Sequence, residues 1–196
     1  MESSSSTAPK RTQIAEIGKR ELLRRLFEGT DFTNKQLFAG DSSKLTVSIN
    51  RLMMEGVDFD LVYTPLKHLG YKSALNALGP LYARCYQPKA LSFTLALSAR
   101  FAAEDIVELW TGIVAAAKEH NIENLSLELK ASMTGLAIGI TAQGEQDPKT
   151  IESAPKPSGT DLICITGNIG AAYMGLHVLE REKVAFQKTP NGVTPP

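Results

Sequence analysis

Apolar positions recur along this chain with two periods, one helical and one alternating, and together they lay out most of the elements. Ile14, Ile17, Leu22, Leu23 and Leu26 share one helical stripe with a basic outer face, and Gly29 is a natural stop. Leu45 to Ile49 alternates as a strand does, and Pro65 opens a helix through Leu69, Ala74 and Leu78 that Gly79-Pro80 is expected to end. Ala90 to Leu97 reads as a strand with Ser92, Thr94 and Ala96 on one face and Leu91, Phe93, Leu95 and Leu97 on the other. Ala103 to His120 is the clearest helix, its stripe made by Ile106, Leu109, Trp110, Ile113 and Ala117. Strands are predicted over 124–129, 134–142 and 162–166, with a polar loop over 144–159. A last helix, about 169–182, is entered through Gly167-Asn168-Ile169-Gly170. This order predicts a two-layer α+β domain, a mixed sheet of about four strands with helices on one face.

Composition narrows the class without naming a function. Hydrophobic residues make up 43% and charged residues 21%, which suits a folded globular domain. Lys+Arg and Asp+Glu both total 21, so no net field draws the chain to nucleic acid or an anionic membrane, and neither is expected as a partner. No apolar run has the length of a membrane span and the first residues lack the order of a signal peptide, so a cytoplasmic location is expected. Tails over 1–10 and 187–196 are expected to flank one domain over 11–186. Cys85 and Cys164 lack metal-ligand spacing and read as small buried thiols.

Candidate chemistry is sparse at the level of single residues. Glu55, Asp58 and Asp60 form an acidic cluster, but strand alternation places Glu55 opposite the other two, a solvated face rather than a metal site. His68, His120 and His177 have no second ligand at metal spacing, and Trp110 falls on an apolar stripe, where core packing explains it. Gly167 to Gly175 enters a helix as a phosphate-binding turn does, yet its spacing is not a dinucleotide fingerprint, and a structural strand-to-helix turn accounts for it.

Longer blocks carry more information. Glu55-Gly56-Val57 with Phe59-Asp60-Leu61, TPLKHLGYKS, PKALSFTLALS, SMTGLAIGIT and GTDLICITGNIGAAYMGLHVLEREK, in that order, resemble thiamine-monophosphate kinase of the aminoimidazole-ribonucleotide-synthetase superfamily over roughly residues 10–186. The resemblance implies an amino-terminal kinase domain that pairs with its twin through its sheet, with Mg²⁺ and ATP held by aspartates. Phosphoryl transfer needs such carboxylates, because the metal they hold neutralises charge on the phosphates.

The chain departs from the family at those carboxylates. Where the family has a Gly-Asp-Asp-Ala loop, this chain has Gly40-Asp41-Ser42-Ser43, leaving Asp41 or Asp31 as substitutes. The next family aspartate aligns with Arg51, a cation that repels Mg²⁺, and the Asn-x-Ser-Asp block becomes Asn76 to Pro80, with proline at the carboxylate position. The Gly-Gly-Asp-Thr turn becomes Ser126-Leu127-Glu128-Leu129, and Asn168 stands where a later aspartate is typical. Arg51, Pro80, Glu128 and Asn168 are therefore degenerate catalytic positions. Glu55, Gly56, Asp58, Gly167 and Gly170 remain as candidate cofactor-binding residues, and Asp41 and Glu128 as candidate metal ligands.

These observations lead to an expected function: a catalytically impaired or inactive kinase-like domain acting as a dimeric structural or interaction module, with no cofactor and a partner of unknown identity. A compensated kinase phosphorylating thiamine monophosphate with Mg²⁺ and ATP is the alternative. An engineered fragment used as an assembly component is a third reading, consistent with the tails and the replaced acids.

Overall fold

The computed structural model describes residues 14–30, 37–39, 44–153 and 155–188. The chain divides into two units, Met1–Leu37 and Phe38–Pro196. In the first, α1 (Ile14–Phe27) forms on the predicted stripe but kinks at Gly18, whose φ is 77°. Glu21 bridges Arg24 and Arg25 on its surface, and their guanidinium groups hold its carboxyl down at about 2.

The second unit is built on one sheet. β1 (Leu37–Ala39), β2 (Leu45–Met54), β3 (Gln87–Leu97), β4 (Asn124–Ala131) and β5 (Ala137–Gln146) lie in the order β1-β2-β5-β3-β4. β5 is antiparallel to both β2 and β3, and β3 is parallel to β4, so the sheet is mixed as expected. β1 is a strand that the hydrophobic pattern does not suggest. α2 (Leu66–Tyr82) packs on β2, β3 and β5, and α3 (Ala103–Glu119) packs along α2. Between the layers Leu69, Leu78, Leu91, Phe93, Leu95, Leu109, Ile113, Ile138 and Ile140 are fully buried, and Trp110 packs against them from the margin. Burying a core leucine or phenylalanine is worth ~1.5–3 kcal/mol each, which is what fastens the helices to this face.

Three elements depart from expectation. α2 does not stop at Gly79-Pro80 but runs to Tyr82, because Pro80 enters only in its last turn, where a single lost helical hydrogen bond is tolerated. β5 continues to Gln146, followed by α4 (Pro148–Glu152) where a plain loop is predicted. Residues 162–166 form no strand; they run exposed and unpaired into the turn before α5 (Ala171–Lys188). Both cysteines are exposed, against the expectation of buried thiols: Cys85 sits in the left-handed turn after α2 and Cys164 in that unpaired segment.

The sheet's other face is open. Thr46, Ser48, Asn50, Leu52 and Met54 of β2, Gly139 and Thr141 of β5, and Ser92, Thr94 and Ala96 of β3 share it by register. The leucines and Phe93 of β3 point instead to the helices; among the described residues Leu52 and Met54 are large apolar side chains left exposed on this face.

Candidate functional site

β2 ends in a tight turn instead of extending. Gly56 adopts φ 76°, its N–H donates to the carbonyl of Phe59 at 2.8 Å, and Glu55 and Phe59 form an isolated bridge. The turn removes the predicted alternation of Glu55 against Asp58 and Asp60. The Asp58 carboxylate accepts the Met54 N–H at 2.7 Å and the Asp60 carboxylate accepts the Val62 N–H at 2.8 Å, so both acids first serve to hold the turn.

Glu55 is engaged more fully. It pairs with the Arg100 guanidinium and accepts the Leu136 N–H at 2.9 Å, while its own N–H donates to the Leu136 carbonyl at 3.0 Å. The Arg100 contact, aided by the Leu136 N–H and opposed by burial, holds the Glu55 carboxyl below its ordinary range. Gly135, at φ 73°, gives the carboxylate room: a side chain there would collide with Glu55 Oε2.

Beside this turn lies a cleft of about 680 Å³, walled by Gly56 to Asp60, Tyr63, Thr64 and Lys72 on one side and by Ala172, Tyr173, Leu176, Leu179 and Glu180 of α5 on the other. Lys72 Nζ reaches the Asp58 carbonyl at 3.5 Å, and Lys183 Nζ lies 5.2 Å from the centre of the Tyr63 ring. Gly56 and Asp58 thus meet in one cleft, while Glu55 lines a neighbouring opening with Arg100, Asp105 and Glu108. The sequence pattern does not single out Tyr63, Lys72 or Lys183. Lys72 is detectable, lying about two helical turns from Pro65 within the TPLKHLGYKS block, but Lys183 is brought here only by the path of α5.

The other predicted positions are scattered. Arg51 lies on the helix side of β2, opposite Ile140, with its Nε 3.5 Å from the Asn76 carbonyl; Pro80 is on α2. Glu128 is on the edge strand β4, opposite Thr94, and pairs with Lys130 at 2.8 Å. Gly167 and Gly170, at φ 82° and 84°, flank Asn168 in the turn before α5, a conformation that accounts for both glycines structurally. Asp41 lies outside the described residues. Among the described residues no three His, Cys, Asp or Glu side chains are grouped to hold a metal ion, and no helix is long and apolar enough to cross a membrane. Glu128, bonded to Lys130 on a separate edge, does not by itself fit a magnesium site.

A mixed sheet covered by helices on one face is the fold this chain shares with solved thiamine monophosphate kinases. In sequence the chain is similar, over about two thirds of its length, to part of the thiamine-monophosphate kinases. It is 26% identical over 132 residues to the thiamine-monophosphate kinase of Rhodopirellula baltica, covering 67% of this chain and 41% of that protein. Against the Bacillus subtilis enzyme the identity is also 26%, over 66% of this chain and 40% of that protein. The chain therefore spans about two fifths of the length of the curated relatives it matches. The fold superposes on the thiamine monophosphate kinase of Aquifex aeolicus with a TM-score of 0.58 at 18% identity, over 69% of this chain and 44% of that one. It superposes on AaThiL complexed with AMPPCP and TMP with a TM-score of 0.70 at 17% identity, over 95% of this chain and 57% of that one. No protein-family model matches the chain.

Proposed function

We propose that this chain is a cytoplasmic, kinase-derived domain that serves as a dimeric structural or interaction module rather than as a phosphotransferase. The observation that carries the reading is the engagement of Glu55: the acid best retained from the kinase-like blocks is closed by Arg100 and the Leu136 N–H, in a pocket that Gly135 shapes for it. A carboxylate bonded on both oxygens loses those bonds if it turns to a metal, and the cost of stranding Arg100 and the Leu136 N–H opposes that movement. Arg51, read from the sequence as standing in the position of a family aspartate, adds positive charge on β2, the strand that leads into the Glu55 turn. Self-association through the open sheet face fits its flat array of small and hydroxyl side chains around exposed Leu52 and Met54, a surface that a two-fold axis can match to itself.

One observation favours the enzymatic alternative. The cleft beside the β2 turn is lined by Lys72 and the aspartates 58 and 60, with Lys183 near the ring of its Tyr63, cations for phosphate and carboxylates for a metal, and a structural neighbour is described with AMPPCP and TMP. Calorimetric titration of the metal-free protein with Mg·ATP, with and without thiamine monophosphate, separates the two. The module reading expects no saturable heat at millimolar nucleotide; magnesium-dependent saturation would replace it with the kinase reading.

A further inference from the structure

The opening that Glu55 lines beside the cleft is a groove of about 610 Å³ with charge of nearly one sign. Among the described residues that line it, Glu55, Asp60, Asp105 and Glu108 are acidic and Arg100 alone is basic. Asp60 and Asp105 each spend one carboxylate oxygen on a main-chain N–H, that of Val62 and that of Ala102, both at 2.8 Å. Their second oxygens, and both oxygens of Glu108, have no hydrogen-bond partner among the described residues. Asp105 and Glu108 stand three apart on α3, which makes them neighbours on one helical face.

The groove is not only acidic. Leu61, Val62, Leu66 and the Phe101 ring give it an apolar lining, and Val62 is 64% exposed. It also holds a guanidinium already. Arg100 pairs with Glu55 and lies 4.8 Å over the centre of the Phe101 ring, the kinds of contact by which an arginine from outside would bind. One guanidinium against four carboxylates leaves an excess of negative charge in a partly apolar setting.

We infer that this groove is a docking site for an arginine-bearing segment of a partner polypeptide, its guanidinium received by Asp105 and Glu108 beside Arg100 and its apolar neighbours laid on Val62 and Leu66. Charge complementarity selects the occupant. An anion meets an acidic wall, and a bare metal ion lacks a ligand set, since no three His, Cys, Asp or Glu are grouped to hold one among the described residues. The volume exceeds what one cationic head group fills, which is why the occupant is a segment of chain rather than a small amine. Arg100 then acts as a built-in competitor, because its positive charge lowers the attraction of the groove for a second cation. The inference rests on the module reading, for which it names the class of partner. The two fail separately: saturation with Mg·ATP removes the module reading, and titration with a peptide decides the groove.

The test uses the full chain and a fluorescein-labelled hexapeptide of alternating arginine and leucine, followed by fluorescence anisotropy in low salt. Saturable binding is expected, weakened at least ~10-fold when each arginine is replaced by citrulline, which keeps the shape and removes the charge. Glu108→Gln, at an exposed position, should weaken binding by ~3-fold or more, whereas Glu16→Gln on α1 should leave it unchanged. Arg100→Gln should tighten it by a similar factor, since glutamine can still bond Glu55 but carries no charge. No saturation overturns the inference, as does equal binding of the citrulline peptide. An equal loss with Glu16→Gln assigns the attraction to diffuse charge, and an unchanged affinity in Arg100→Gln places the peptide elsewhere; either result overturns it too.

Discussion

Arg51 Nε lies 3.5 Å from the main-chain oxygen of Asn76, the helical carbonyl whose ordinary donor is the N–H of residue 80, and residue 80 is Pro80. Proline has no N–H to give, so the guanidinium stands where the missing bond would be. Arg51 and Pro80 are thus linked through one carbonyl. At that length the contact is weak and Asn76 is exposed to water, so a coupling of only about 0.5–1 kcal/mol is expected. In a double-mutant cycle, Arg51→Ala should cost more beside Pro80 than beside Pro80→Ala, where the helical bond is restored. Additivity of the two changes in denaturant unfolding would show that the carbonyl does not join them.

Glu55 makes a pH-dependent contribution of definite sign. Its carboxyl is held below the ordinary 4.5, first by Arg100 and then by the Leu136 N–H, so its folded value is depressed relative to the unfolded chain. Stability from such a group is fully present above the unfolded value and is lost as pH falls through the folded one. Arg100 is more than half exposed, which discounts the pair to about 1 kcal/mol at neutral pH. Glu55→Gln should be less stable than the parent by that amount at neutral pH, and the difference should close below the ordinary carboxylate value. A constant difference down to about pH 2 would mean that the charge of Glu55 contributes nothing.

Most of the fold was legible because buried faces repeat at fixed periods. The alternation of β3 and the stripe of α3 correctly separate Phe93 and Ile113 from the solvent side. The same logic failed at residues 162–166, where a strand pattern joins no sheet among the described residues, since periodicity reports what a segment is suited to bury and not whether a neighbour is present. It failed again at Glu55, because one left-handed glycine, Gly56, converts an apparent alternation into a turn. The pairing of Glu55 with Arg100 spans 45 residues, and that of Arg51 with Asn76 spans 25, distances in sequence over which no local pattern carries information.

Cys85 occupies the left-handed region at φ 59° in the turn that ends α2, where the Tyr86 N–H returns to the Leu81 carbonyl at 3.0 Å. A side chain there works against backbone sterics, and glycine is the residue that commonly closes a helix in this way. Cys85 is exposed, so no core contact is lost on removing its side chain. Cys85→Gly should therefore stabilise the domain by about 0.5–1 kcal/mol, read as a higher denaturant midpoint at unchanged slope. A lower midpoint would show that the thiol has a structural partner in solution.

α2 and α3 approach each other backbone to backbone at Gly70 and Gly112. A Cβ on Gly70 of α2 would fall on the Leu109 carbonyl of α3, and a Cβ on Gly112 of α3 would fall on the Lys67 carbonyl of α2, in both cases well inside contact distance. Both obstacles are backbone atoms, so relief requires the helices to separate rather than a side chain to rotate. Separation would unseat Leu69, Leu109 and Ile113, which are fully buried at this seam. Gly70→Ala or Gly112→Ala should each cost about 3 kcal/mol or more, although alanine is the better helix former by about 1 kcal/mol. The two changes made together should cost less than the sum, because the helices need move apart only once. A neutral or stabilising effect of either single change would show that α2 and α3 do not cross at this distance.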